Sequence, residues 1–352
     1  MKTLLKVSSV AVAGMLLMGT TAFAKGEKYT LESMKVSSPI SLEASNPIWN
    51  KAKALSFEMS ETPYKPKNFK GMTSTNVTLK SAHDDKNFYL YMQYEDPTNS
   101  YARFPWVKQE DGSWKKMSNK DQTGHENTWY EDKVGVYFNI NTRGFAKKGC
   151  AISCHITKDG KNNGFSDNSA GRKYTRKAGE TIDMWHWKGV RTGLPFNLSH
   201  DQYVDNQADP ALSSTWGRKG DEKAGGGYKY NGEKGAKVPA FMNPNGEFGV
   251  GSIIETTKVP FVDTFKAGDK VPNVIVTEMS GSAADIQTSN HYADGVRTLV
   301  FKRALTTNHP KSNIQDVQFS DLSKPYYMGV SVFDNTQINH VFHDGSIKLL
   351  FK

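Results

Sequence analysis

Residues 77–94 read VTLKSAHDDKNFYLYMQY, and the class of fold follows from how this stretch alternates. Val77, Leu79 and Ser81 recur at every second position up to Asp84-Asp85-Lys86-Asn87, a run of turn formers. Beyond the turn, Phe88, Leu90, Met92 and Tyr94 fall on one face and Tyr89, Tyr91 and Gln93 on the other. A period of two in aromatic and branched residues on both sides of a turn predicts a β-hairpin. The same period recurs outward along the chain: at Val134, Val136, Phe138 and Ile140; at Ile182, Met184, His186 and Lys188 against Trp185 and Trp187; and over residues 296–301 and 328–333. The expected fold is therefore mostly β, a β-sandwich with long loop insertions and few short helices. Residues 157–179 and 200–251 are the polar stretches read as those loops. Gly225-Gly226-Gly227 lacks the Gly-Lys-Ser/Thr ending of a phosphate loop and is not read as a nucleotide site.

The first 24 residues carry Lys2 and Lys6, an apolar run from Val7 to Met18, and Ala22-Phe23-Ala24. That order is a secretory signal peptide with its cleavage site. The apolar run is shorter than the roughly 20 residues a bilayer span needs. The expected organisation is a signal peptide over residues 1–24, a flexible mature N-terminus over 25–40 and a single domain over 41–352. The mature protein is expected in the periplasm through the Sec route, with no integral membrane span after cleavage. Loss of Lys2 and Lys6 takes two from a formal charge of +9, and the remainder is spread along the chain, so nucleic acid is not implied. A mildly positive surface would suit an acidic redox partner. An exported chain with only two cysteines is no disulfide-stapled scaffold, so the pair needs its own explanation.

Those cysteines stand in Gly149-Cys150-Ala151-Ile152-Ser153-Cys154-His155, a C-x-x-x-C-H run one residue longer than the usual c-type haem attachment pattern. Two thiols at i and i+4 on a helical turn share a face, about 5–6 Å apart at Cβ, and can serve two vinyl groups on one porphyrin edge. His155 then follows the second anchor, where a proximal iron ligand belongs. Two other readings stay open: a disulfide between Cys150 and Cys154, which would require a tighter loop than helical spacing gives, and a metal site lacking its fourth ligand.

Seven stretches occur in a telling order: LKSAHDDKNFYLYMQYEDP, RFPWVKQEDGSW, YEDKVGVYFNI, GCAISCH, DMWHWKGVRTG, VFKRAL and YYMGVSVFDN. In that order the chain resembles the ethylbenzene dehydrogenase-related haem-binding family, which takes in cytochrome c-552 and dimethylsulfoxide reductase-like haem subunits. The resemblance spans about residues 41–352. It implies a β-sandwich related to sugar-binding modules, a haem at one end, and electron exchange with a molybdenum enzyme or another cytochrome. Gamma subunits of the family hold a non-covalent b-type haem through Met and Lys, whereas this chain has the cysteines and histidine of a covalent, c-type subgroup.

One covalent haem c is thus expected, held by Cys150 and Cys154, with His155 on the iron. His340 is the expected sixth ligand, because it follows the last clear strand near the position of the gamma subunits' lysine; His186, Met184 and His343 are the alternatives. Trp185 and Trp187 are expected in the core. Arg191, Arg297 and Arg303 are candidate partners for haem propionates or ordinary surface residues. No hydrolytic triad, paired acid or metal-hydrolase motif stands out, so the expected role is electron carriage to or from a redox partner protein rather than enzymatic catalysis. The alternative is an exported ligand- or sugar-binding sandwich with a Cys150–Cys154 disulfide. A haem sensor or enzyme with an open iron position is a third class.

Overall fold

The computed structural model describes residues 29–63, 71–121, 124–153, 161–162, 165–166, 173–209, 211–212 and 217–352. The signal peptide expected over 1–24, and both Cys154 and His155, lie outside the described residues.

The hairpin read from the sequence forms as strands β3 (Thr75–His83) and β4 (Asn87–Glu95). Its turn is fixed by Asp84, whose Oδ1 accepts the backbone N–H of Lys86 and of Asn87, each at 2.7 Å. The Tyr89 hydroxyl donates to Oδ2 of the same carboxylate at 2.7 Å. That turn sets the register, Leu79 opposite Met92 and Val77 opposite Tyr94, and so sends one face of both strands inward.

Besides the two-residue strand Val341–Phe342, which pairs with the Tyr326–Phe333 strand, the remaining strands of this sheet are β1 (Tyr29–Lys35), β2 (Leu55–Met59), β5 (Lys133–Asn139), β6 (Ile182–Lys188), β7 (Leu198–Val204), β8 (Arg218–Gly220), β9 (Ile286–Ala293), β10 (Val296–Ala304), β11 (Tyr326–Phe333) and β12 (Ile347–Phe351). They run in the order β1-β12-β11-β5-β6-β7-β9-β10-β4-β3-β2, with β8 alongside β7. β1 pairs parallel with β12 on one side and with β3 on the other, so the sheet closes on itself. The result is the mostly β, barrel- or sandwich-like fold the alternation predicts. One expectation is corrected: residues 29–35, read as part of a flexible N-terminus, form the strand that closes the sheet, because Leu31 packs fully buried among inward residues. The stretch 200–251, read as a loop, likewise contains part of β7 and all of β8. The helices are a few short turns, and among the described residues none is long and apolar enough to cross a membrane.

Inside the closed sheet, Trp185, Trp187, Phe138, Phe88, Leu90, Met92, Val136 and Val330 form one core. Phe138 and Trp185 have ring centroids 4.8 Å apart, and Phe88 and Phe138 6.1 Å. Burying each such side chain stabilises the fold by about 1.5–3 kcal/mol. Two arginines read as surface residues or propionate partners are instead fully buried. Arg303 Nη1 donates to Asp183 Oδ2 at 2.6 Å, while Arg297 Nε donates to Asp96 at 2.7 Å and Nη2 to Asp132 at 2.8 Å. Both are therefore committed to carboxylates of the fold, a pairing that burial makes obligatory.

Removing one member of a buried pair leaves the other uncompensated. Arg303→Ala should lower unfolding free energy by about 3–5 kcal/mol in urea titrations. Lys302→Ala, next to it on the opposite strand face, should change stability by under about 0.5 kcal/mol.

Candidate functional site

Strand β6 has two working faces. Asp183, Trp185 and Trp187 point into the core, so the period of two sends Ile182, Met184, His186 and Lys188 to the outside of the closed sheet. Across β5, Met184 faces Tyr137, His186 faces Gly135 and Lys188 faces Lys133. One strand further, β11 sets Gly329 beside Tyr137, Ser331 beside Gly135 and Phe333 beside Lys133. On the other flank, β7 sets Gln202 beside Met184 and His200 beside His186. Gly329, Gly135 and Ser331 leave the middle of this face low, with larger groups around it.

Cys150 is brought onto that low ground by a short helix, Phe145–Lys148, running into a 3-10 turn, Gly149–Ile152. Gly149 has φ of +56°, and a Cβ there would fall 1.8 Å from the carbonyl oxygen of Gly345. Only glycine fits, and the turn thereby docks against the 345 loop. Below it, a Cβ at Gly329 would lie 3.3 Å from the backbone nitrogen of Cys150 and 3.8 Å from its Sγ, so the bare backbone of β11 lets the cysteine approach the sheet. Ser153 caps the turn, its N–H and Oγ donating to the Cys150 carbonyl at 3.1 and 3.2 Å.

Cys150, Met184 and His340 line one narrow crevice, together with Gly135, Tyr137 and Gly329. Three residues singled out from the sequence, far apart in the chain, thus meet at one spot. His340 Nδ1 lies 2.8 Å from the carbonyl oxygen of Ile338. A carbonyl only accepts, so Nδ1 carries the proton and Nε2 is the basic nitrogen, the arrangement that orients metal-ligating histidines. The ring packs 4.5 Å from that of Phe333. His186, one position along the face from Met184, donates from Nδ1 to Gln202 Oε1 at 2.8 Å. Its Nε2 is buried with no hydrogen-bond partner among the described residues. His343 sits elsewhere, between Tyr29 and Phe57 at ring distances of 5.7 and 5.3 Å, and does not line the crevice. Cys154 and His155 are not among the residues described.

The same face carries buried charge that the sequence reading did not single out. Lys188 Nζ is 2.7 Å from His200 Nδ1, and both side chains are buried. Lys133 is buried too, its Nζ donating to the Gln337 carbonyl at 2.7 Å and lying 4.1 Å from the Phe333 ring centre. Burial, and then its cationic neighbours, hold Lys188 well below the usual lysine range. Arg191, the third arginine considered for propionates, pairs with Glu131 at 2.5 Å. The signal was present in the alternation of Met184, His186 and Lys188; what sequence lacked was the knowledge that β7 would lay His200 against it.

Cys150, Met184 and His340 bring a thiol, a thioether and an imidazole to one crevice, groups whose chemistry could anchor or ligate a c-type haem, while the crevice itself is narrow.

Compared with known families, residues 46–345 match the family model described as ethylbenzene dehydrogenase. The chain belongs to that family. No curated protein matches. Among solved structures, the chain is similar to a family 9 carbohydrate-binding module from Caldicellulosiruptor kristjanssonii in complex with glucose, at 10% identity over 92% of this chain and 96% of that one, with a TM-score of 0.34. The module with cellotriose gives 11% identity over 92% and 94%, with a TM-score of 0.32. Likeness at that level bears on neither ligand nor function.

The buried imidazoles make stability depend on pH in a definite direction. Burial first, and Lys188 second, hold His186 and His200 well below the ordinary imidazole value of about 6.5. In the unfolded chain they titrate near 6.5, so below that pH the unfolded state binds protons that the native state refuses. Stability of the chain should therefore fall as pH drops from 7 to 5, by up to about 1.4 kcal/mol per unit per group. Urea titrations across that window should show a shallower slope for His200→Gln.

Proposed function

We propose that this protein is a periplasmic electron carrier holding one covalent c-type haem on the outer face of β5, β6 and β11. Cys150 and Cys154 would supply the thioether anchors, and His155 and His340 would hold the iron, with Met184 and His186 as the neighbouring donors. When bound, the haem supplies a one-electron couple at iron. The chain's own part is to anchor the porphyrin edge, to fix the His340 tautomer through the Ile338 carbonyl and to keep water from the face through Phe333 and Tyr137. Two strong ligands would leave no open position, so the role is carriage of electrons to or from a partner protein, a molybdenum enzyme or another cytochrome. The single observation that supports this reading most is that Cys150, from the attachment run, lines the same crevice as Met184 and His340.

A second reading has one observation in its favour: Cys150 is only 8% exposed and is packed against the β11 backbone, as half of a disulfide could be. On that reading the protein is an exported sugar- or ligand-binding module stapled by Cys150 and Cys154. The two readings part on one measurement. Mature protein made in a host with haem-attachment machinery should stain for haem peroxidase after denaturing electrophoresis. A colourless band, with a mass two hydrogens below the reduced polypeptide, favours the module.

His340→Ala should keep the haem attached but turn the optical spectrum towards high spin and let carbon monoxide bind the reduced protein. An unchanged low-spin spectrum moves the sixth ligand to Met184 or His186. Two histidines should also give a lower potential than a histidine–methionine pair, because methionine ligation raises it.

A further inference from the structure

One end of the same face is charged in a way that the proposed iron ligands do not use. Lys188, Arg191, Arg218, Lys223 and His200 border a cavity of about 170 Å³. Glu131 answers Arg191, and its remaining oxygen accepts the N–H groups of Val190 and Arg191 at 2.8 and 3.1 Å, so that carboxylate is occupied. Lys188 has no carboxylate: its buried Nζ meets the His200 Nδ1 alone, at 2.7 Å. Once Lys188 is charged, its ammonium can only donate, so His200 Nδ1 then accepts and the ring's own proton sits on Nε2. That Nε2 is buried with no hydrogen-bond partner among the described residues, and its ring borders the cavity. Charging Lys188 without a counter-charge is costly, which is why burial and the neighbouring cations hold its proton affinity down, and an anion in the cavity would supply the missing charge.

We propose that this cavity is an anion site that takes the oxygens of a carboxylate or phosphate group, with Lys188 Nζ and His200 Nε2 as its inner donors and the Arg218 guanidinium at its rim. Two sources share this chemistry. One is a free oxyanion from solution, which owes nothing to the haem reading. The other is the carboxylate edge of a haem on the same face, since Lys188 lies four residues from Met184 along β6, on the order of 13 Å; this source rests on the proposed function.

The test titrates inorganic phosphate into the full mature chain, haem-free and after maturation with haem, by calorimetry against chloride at equal ionic strength. If the anion comes from solution, phosphate binds both forms, and Lys188→Met and Arg218→Gln each weaken it at least tenfold. If haem carboxylates fill the site, phosphate binds the haem-free form only, and Arg218→Gln in the loaded form lowers the midpoint potential, because losing a cation favours the oxidised iron. A chain that takes up no haem removes the electron-carrier reading but leaves the haem-free titration to decide the cavity. Absence of phosphate binding to either form, with a potential unmoved by Arg218→Gln, overturns the site; so does phosphate binding that both variants leave intact. The wild-type arms stand even where a variant fails to fold.

Discussion

The packing of Trp185 and Trp187 inside the closed sheet is the constraint on which the site depends. Both indoles are fully buried, Trp185 against Phe138 at 4.8 Å, and a strand cannot turn one such residue inward without turning its neighbours out. Met184, His186 and Lys188 are thus held on the outer face by the core rather than by anything on the site side. A slip of one residue would put a lysine and a histidine into an aromatic core, which burial forbids. The candidate face is therefore backed by fully buried aromatic packing.

On the outer face, small residues do the opposite work. Gly329 admits the Cys150 turn and Gly149 docks that turn on the 345 loop, so Cys150 is held by backbone proximity at two points. Around this low ground stand polar groups held by neighbours: the His340 tautomer is set by the Ile338 carbonyl and that of His186 by Gln202, while His200 pairs with Lys188. Such preset donors suit ligation at one end and anion capture at the other. Both uses lie along one strand.

Most of the fold was legible in the sequence, because alternation survives wherever one face of a strand is core. The 77–94 hairpin, β5, β6, β10 and β11 all follow it. What was not legible came from pairings distant in sequence. β1 was read with the N-terminal segment, and its parallel partners β12 and β3, distant in sequence, are what make it a strand. Arg297 and Arg303 look like surface residues in the chain, and only the approach of Asp96, Asp132 and Asp183 makes them core. Within the site, Cys150 was singled out from its motif, His340 from its place after the last strand and the family resemblance, and Met184 as an alternative ligand, and the structure brings the three together; His343, three residues from His340, is turned away against Tyr29 and Phe57. The Lys188–His200 pair needed the β6–β7 register, which no local pattern carries.

The central claim, one iron on the outer face of β6, is tested most directly by anomalous X-ray scattering at the iron edge from crystals of protein matured with haem-attachment machinery. The account predicts one iron per chain, above Gly135 and Gly329 and between the side chains of Cys150, Met184 and His340. An iron found inside the closed sheet or beside His343 would contradict it, as would the absence of any iron together with continuous density between the sulfurs of Cys150 and Cys154.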